Sequence, residues 1–219
     1  MRTAAMEDHL KTIYHLTQDT SDPVGTSAIA AAVERTPATV SSMLDRLVDE
    51  GLCEREKYQG CRLTPAGERA AIEVIRHHRL LETFLYEVLA FDPSGVHEEA
   101  DRLEHHISEQ LEARLAAQLE NPEVDPHGHP IPSAALEPPM ERTATTLDEV
   151  SEGGCVTVVQ IADYDSALVR FLTDVAMLPG AVVTVETIEP TGIRRVRTEL
   201  TDAAIPADLA AEIAVTEGA

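Results

Sequence analysis

TPATVSSMLDRLVDEGLCEREKYQGCRLT, residues 36–64, reads as one helix followed by a two-stranded hairpin. Thr36 can accept from the free amides of a first helical turn, and Pro37 suits the first helical position, where no N–H is needed. Val40, Met43, Leu44, Leu47 and Val48 recur at helical spacing, and Gly51 can take the left-handed conformation that stops a helix. The pattern then turns alternating and basic through Cys53–Thr64, with a turn at Gln59-Gly60. Upstream, a turn at Asp22-Pro23-Val24-Gly25 leads to a short helix carrying Ile29, Ala30 and Val33, with Thr26 as its expected cap. Two short helices with a basic hairpin directly behind them predict a winged helix-turn-helix.

The second helix leaves small polar residues exposed at its start. Thr36, Pro37, Ala38, Thr39, Ser41 and Ser42 let backbone approach a major groove, where threonine methyls can meet thymine and hydroxyls can reach base edges or phosphates. Arg46, Thr26, and Lys57 and Arg62 of the hairpin complete the candidate DNA-binding set. A helical pair that merely packs is the plainer alternative, and the hairpin weighs against it.

Working outward, residues 4–17 form a predicted helix with Met6, Leu10, Ile13, Tyr14 and Thr17 on one stripe. Downstream, a long helix is expected from Pro65 to Ala90, with His78 and Glu82 one turn apart on or beside its apolar stripe. The next stretch, HEEADRLEHH (residues 97–106), sets His97, Asp101, Glu104 and His105 at spacings of four, three and one, one face of a helix expected to run to about Leu119. Val96, Ala100, Leu103, Ile107, Leu111 and Leu115 make its apolar face. Two carboxylates and two imidazoles side by side are the donors a divalent transition metal takes, although a solvated acidic face remains the alternative. The two amphipathic helices exceed what a wing domain needs and cannot bury both stripes alone, so a homodimer is expected.

Residues 121–145 hold six of the thirteen prolines and read as an extended linker; His127 and His129 within it are expected to be incidental. From Thr146 the period becomes two. CVTVVQI, AVVTVETI and RRVRTELT read as strands, SALVRFLTD as a short helix, and PADLAAEIAV as a last turn and strand, together a small barrel. The expected architecture is therefore mainly α with a small β domain: a winged helix-turn-helix over 1–64, a helical metal-binding and dimerisation domain over 65–120, the linker over 121–145 and an SH3-like barrel over 146–219.

The net charge of −22 would ordinarily argue against nucleic acid, but it is unevenly spread. Residues 1–72 hold eight Lys and Arg against eleven Asp and Glu, a net of −3; the remainder holds nine against twenty-eight, a net of −19. Only Lys11 and Lys57 are lysines, beside fifteen arginines. Acid-rich, lysine-poor composition with intact apolar patterning points to a halophilic cytoplasm, where a Debye length of about 3 Å in molar salt weakens distant repulsion of DNA. No apolar run approaches a membrane span, MRTAAMEDHL lacks a signal-peptide pattern, and the three cysteines lack metal or disulfide spacing. A cytoplasmic protein that engages no membrane is expected. With no nucleophile constellation and no glycine-rich phosphate loop, an enzyme is not expected.

These motifs resemble the diphtheria-toxin-repressor family of metal-dependent transcriptional regulators, and the match runs over nearly the whole chain. It is carried by the helix–HTH–wing order, by H-R-L-L-E (residues 78–82) and V-H-E-E-A-D-R-L-E-H-H-I-S (96–108), and by N-P-x-x-x-P-x-G-x-P-I-P (121–132). L-P-G-A-V-V (178–183) looks like the SH3-like, ferrous-transport-protein-A-like third domain of longer members. The resemblance implies a primary metal site of Asp8, Asp101, Glu104 and His105. The iron-responsive branch has a methionine where Asp8 stands and a cysteine where Asp101 stands, so this chain is more similar to the manganese-responsive branch. Short manganese regulators carry a glutamate where Lys11 stands, which sets this chain apart from a binuclear primary site. The resemblance also implies a second site of His78, Glu82 and His97, completed from the third domain by Asp163 or Asp165. Carboxylates in place of thioether and thiolate make a harder donor set, which favours Mn²⁺, then Fe²⁺. The implied function is a metal-dependent repressor of metal-uptake genes, binding double-stranded operator DNA as a homodimer, with two dimers on one operator as the larger assembly. A metal-independent winged-helix regulator with a structural acidic–histidine cluster and a di-metal hydrolase are the alternatives.

Overall fold

Thr3 opens the first helix, α1 (Ala4–Thr17), by accepting from Met6 N through its hydroxyl. This is a computed structural model, and it describes residues 2–18, 22–56, 60–138 and 145–217. The chain divides into two units, the first made of residues 1–77, 104–107 and 132–139, the second of the remainder.

In the first unit, α2 (Thr26–Ala32) and α3 (Pro37–Asp49) follow α1, then the antiparallel hairpin β1 (Cys53–Glu56) and β2 (Gly60–Leu63). Thr36 caps α3 through its hydroxyl and Pro37 is the first helical residue, as the sequence requires. The α2 cap falls one residue earlier than expected, at Gly25. Val24 exchanges two 2.9 Å hydrogen bonds with Cys61, and this bridge to the hairpin fixes where α2 begins. Met6, Leu10, Ile13, Ile29, Val40, Leu44 and Leu47 share one core with Ala71, Ile72 and Ile75 from the front of α4 (Pro65–Glu87). α4 stops short of Ala90, which takes a left-handed φ of 54°, while Phe91 N turns back to bond Leu85 O at 3.0 Å.

The helix expected to run from the histidine cluster to Leu119 is two helices. α5 (Pro93–Leu103) ends before Glu104, and α6 (Glu109–Gln118) starts afresh where the Ser108 hydroxyl accepts from Leu111 N. Side-chain demand at the break is the reason. Glu104 is buried and paired with Lys11 of α1, and His105 is paired with Glu7 and Asp8 of α1. Leu111, placed on the buried stripe by a continuous helix, is exposed instead.

The second unit contains the back of α4, α5, α6 and the C-terminal sheet. Residues 123–131, expected to be extended linker, form a hydrogen-bonded turn: Ile131 N donates to Glu123 O at 2.8 Å, Asp125 N to His129 O at 3.0 Å and Gly128 N to Asp125 O at 3.0 Å. Proline carbonyls, which need no N–H of their own, accept here from arginine, as Pro130 O does from Arg79. From residue 145 onward six antiparallel strands follow: β3 (Thr145–Thr146), β4 (Cys155–Gln160), β5 (Val182–Ile188), β6 (Arg194–Arg197), β7 (Asp202–Ile205) and β8 (Ala214–Glu217). Their order is β3-β8-β4-β5-β6-β7, with register shifts in β4 and β5 that bend the sheet. α7 (Ser166–Asp174) and α8 (Ala207–Ala210) complete this SH3-like domain, whose core includes Val158, Ile161, Leu172, Met177 and Val185. β3 and β7 are short strands the sequence pattern does not announce. Among the described residues no helix is long and apolar enough to cross a membrane.

Candidate metal centres and DNA-facing surface

The first donor cluster lies within the first unit. Asp8 projects from α1, and Glu104 and His105 come from the turn that breaks α5 from α6. His105 Nε2 is 2.8 Å from Asp8 Oδ1 and 3.5 Å from Glu104 Oε1, while its Nδ1 is 2.8 Å from Glu7 Oε2. Glu7, which the sequence motifs do not single out, thus holds the imidazole so that Nε2 faces the two carboxylates, the support that metal-bound histidines ordinarily have. Burial, with the charge of Glu104, pushes the Asp8 carboxyl up, and His105 opposes them. A cation among these donors would relieve that crowding, and Asp8, Glu104 and His105 fit a hard divalent ion. Lys11 Nζ donates to both Glu104 oxygens at 2.9 and 3.2 Å, so a cation already sits on one side of the cluster.

The second cluster lies within the second unit. His78 Nε2 is 2.9 Å from Glu82 Oε1 and 3.1 Å from His97 Nδ1, and His97 Nδ1 is 3.2 Å from the same oxygen. Three donor atoms at these separations match adjacent corners of one coordination sphere with bonds of about 2.1 Å. Asp163 Oδ2 stands 3.7 Å from His97 Nδ1. Asp165 serves elsewhere, its carboxylate capping α7 by accepting from Ala167 N at 2.8 Å. Asp101, grouped by the sequence pattern with Asp8, has its Oδ1 3.2 Å from His78 Nδ1 and its Oδ2 3.7 Å from His97 Nε2. It remains on α5, whereas Glu104 and His105 lie past the helix end.

Burial alone would raise Glu82, but the charge on His78 and hydrogen bonds from His78 and His97 hold its carboxyl well below the usual range. Asp163 is likewise low, since the charges of His129, His97 and His127 outweigh its burial and Glu82. His97 is pushed up: burial lowers it, but the Glu82 hydrogen bond and the charges of Asp163 and Asp101 prevail over burial and His78. Glu82 Oε2 is buried without a hydrogen-bond partner. A buried, ionised carboxylate with one oxygen unsatisfied fits a metal ligand better than a structural ion pair.

On the helix-turn-helix, Thr36, Pro37, Ala38, Thr39, Ser42 and Arg46 are exposed, and Thr26, Ser41 and Arg62 half-buried. Lys57 lies outside the described residues. The Thr36 and Thr39 hydroxyls bond at 2.9 Å, and Ser42 Oγ donates to Ala38 O at 3.2 Å, so these hydroxyls are bound to the helix itself. Arg46 rests its guanidinium 3.8 Å from the Met6 sulfur. Arg55 of β1, which the sequence motifs do not single out either, reaches α3 at Asp45 Oδ1 (2.5 Å) and Ser41 Oγ (3.4 Å). It brings a guanidinium to the helix face carrying the candidate residues.

Residues 1–61 match the family model described as iron dependent repressor, N-terminal DNA binding domain. Residues 64–133 match the iron dependent repressor metal binding and dimerisation domain, and residues 145–217 the FeoA domain. The iron-dependent repressor IdeR of Mycobacterium bovis is 35% identical over 198 residues, covering 85% of this chain and 86% of that protein. The HTH-type transcriptional regulator MntR of Lysinibacillus sphaericus is 34% identical over 128 residues, 57% of this chain and 91% of its own length. A solved manganese-dependent transcriptional repressor in complex with manganese superposes with a TM-score of 0.86 at 30% identity, over 97% of this chain and 100% of the other.

Proposed function

Because this chain belongs to the diphtheria-toxin-repressor family of metal-dependent DNA-binding repressors, we propose that it is a repressor of metal-uptake genes whose operator affinity is set by Mn²⁺, with Fe²⁺ second, at the Asp8–Glu104–His105 cluster. The observation that carries this is the convergence of donors from α1 and from the turn after α5, with Glu7 orienting His105. Two carboxylates and one imidazole with no sulfur favour a hard ion.

The residues supply a route from this cluster to the DNA-reading helix. α1 carries Asp8 on one side and, on the other, Met6 and Leu10, which share a core with Val40 and Leu44 of α3. Without a cation, Asp8 and Glu104 are like charges held close, with Lys11 paired to Glu104 and His105 opposing the rise at Asp8. When bound, the divalent ion supplies the charge that lets Asp8, Glu104 and His105 stay together. Asp8 then holds α1, and through α1 the floor of α3, in one position. In a homodimer this fixes two recognition helices for half-sites about 34 Å apart before DNA arrives, and two such dimers on one operator are the larger assembly. Coupling of this kind is worth about 1–3 kcal/mol.

Asp8→Ala is expected to abolish Mn²⁺-stimulated operator binding in a gel-shift titration. Stimulation unchanged from wild type would overturn the reading and favour a metal-independent regulator.

A further inference from the structure

The DNA-reading helix α3 carries two aspartates, Asp45 and Asp49, and one arginine, Arg46. Asp49 is its last residue, whereas Asp45 lies three and four residues beyond Ser42 and Ser41 and shares their face. The Asp45 side chain is 65% exposed. A carboxylate carried into a groove lined by phosphates meets like-charge repulsion, so an acid on this face needs a compensating partner.

Arg55 of the wing is that partner. Its Nη1 donates to Asp45 Oδ1 at 2.5 Å, and both Nη1 and Nη2 reach Ser41 Oγ at 3.4 Å. The guanidinium thus spans one turn of α3, neutralises the acid and holds its side chain in place. A carboxylate offers about four acceptor positions, so Asp45 can accept again while Arg55 holds it. The neighbouring hydroxyls are less free. Ser42 Oγ donates inward to Ala38 O at 3.2 Å, and the Thr36 and Thr39 hydroxyls bond each other at 2.9 Å.

An acceptor-only group discriminates among bases along the major groove. Guanine presents two acceptors, N7 and O6, and thymine presents O4 beside a methyl group. Adenine sets its N7 acceptor next to the N6 amine. Cytosine alone presents a donor, the N4 amine, with no acceptor of its own beside it.

We propose that Asp45, held by Arg55, reads the N4 amine of a cytosine in each operator half-site. Asp45 is then a specificity residue, and Arg55 a positioning residue that acts through it. This rests on α3 being the helix that enters the major groove, and it is independent of which metal the chain takes.

The test is selection of duplexes from a randomised library by the full-length chain saturated with MnCl₂, beside Asp45→Ala, Asp45→Asn and Arg55→Ala. Wild type is expected to return a two-fold-symmetric motif with cytosine at one position of each half-site. Replacing that cytosine should weaken wild-type binding about tenfold and leave Asp45→Ala binding unchanged. Asp45→Asn should move the preference at that position to adenine, whose N6 and N7 match an amide. Arg55→Ala should flatten the same preference and no other. Asp45 and Arg55 both lie at the surface, so these changes leave the core intact. An unchanged motif in Asp45→Ala and Asp45→Asn would overturn the role of Asp45 alone; the ion pair would then only pin the wing to α3. A wild type that returns no motif would overturn α3 as a sequence reader, and Asp45 with it.

Discussion

Lys11 shows how one residue can change a cluster of donor side chains. Its ammonium covers both oxygens of Glu104, a carboxylate only 2% exposed. Lys11→Met strips that partner and leaves a buried charge, so the metal-free chain should lose about 3 kcal/mol in urea unfolding. Saturating Mn²⁺ should restore more stability to Lys11→Met than to wild type, because the ion takes over the missing charge. Protonation in the second cluster has a sign that can be worked out. His129, like His97, is pushed up: burial lowers it, but the Asp125 and Asp163 carboxylates prevail. A raised histidine stabilises the metal-free fold below its ordinary value, and that contribution is lost as pH rises through the raised one. Glu82 and Asp163, held low, stabilise above the ordinary carboxylate range and lose this as pH falls through their lowered values. Metal requires neutral imidazoles, so Mn²⁺ binding should release protons and tighten as pH rises through the histidine range. Calorimetric titrations in buffers of different ionisation enthalpy would measure this; affinity that falls over the range would contradict it.

At the scale of elements, the two breaks in regular structure carry the chemistry. α5 ends at Leu103 so that Glu104 and His105 can turn toward α1, and the 125–129 turn presents Asp125 and two histidines to α4. Gly128 makes that turn possible, with φ at 91° and a position where a Cβ would fall 2.0 Å from Val159 O. Gly128→Ala would therefore have to push the turn off β4. It should weaken manganese binding at the second cluster about tenfold or more, while the Asp8 cluster retains its ion. Manganese stoichiometry by elemental analysis, compared with Asp8→Ala, distinguishes the two losses.

For the whole molecule, the dimer is the unit that reads DNA. Val88 and Leu89 beyond α4, with Leu111 on α6, are 47%, 52% and 45% exposed, in the segment matching a dimerisation domain. Large aliphatic side chains left open on a helical domain are what a partner surface buries. Leu89→Glu should shift the chain toward monomer in sedimentation velocity. It should also weaken binding to a two-half-site operator about 10²-fold, since each head then binds singly. A stable Leu89→Glu dimer would move the interface elsewhere.

The winged helix-turn-helix was legible because caps, apolar spacing and turn glycines are local signals: Thr36, Pro37 and Gly51 act where the sequence alone puts them. The residue types of both clusters were legible for the same reason, as donors at helical spacing. What sequence could not give was which donors meet. A helical face drawn through Glu104 ignored the pull of Lys11 and Asp8, some ninety residues away in the chain. A proline-rich stretch looked like linker because its hydrogen bonds run to Arg79 and the β4 end of the sheet domain, partners that local pattern does not encode. Periodicity determined the elements, and long-range electrostatics in a low-dielectric interior decided where they had to break.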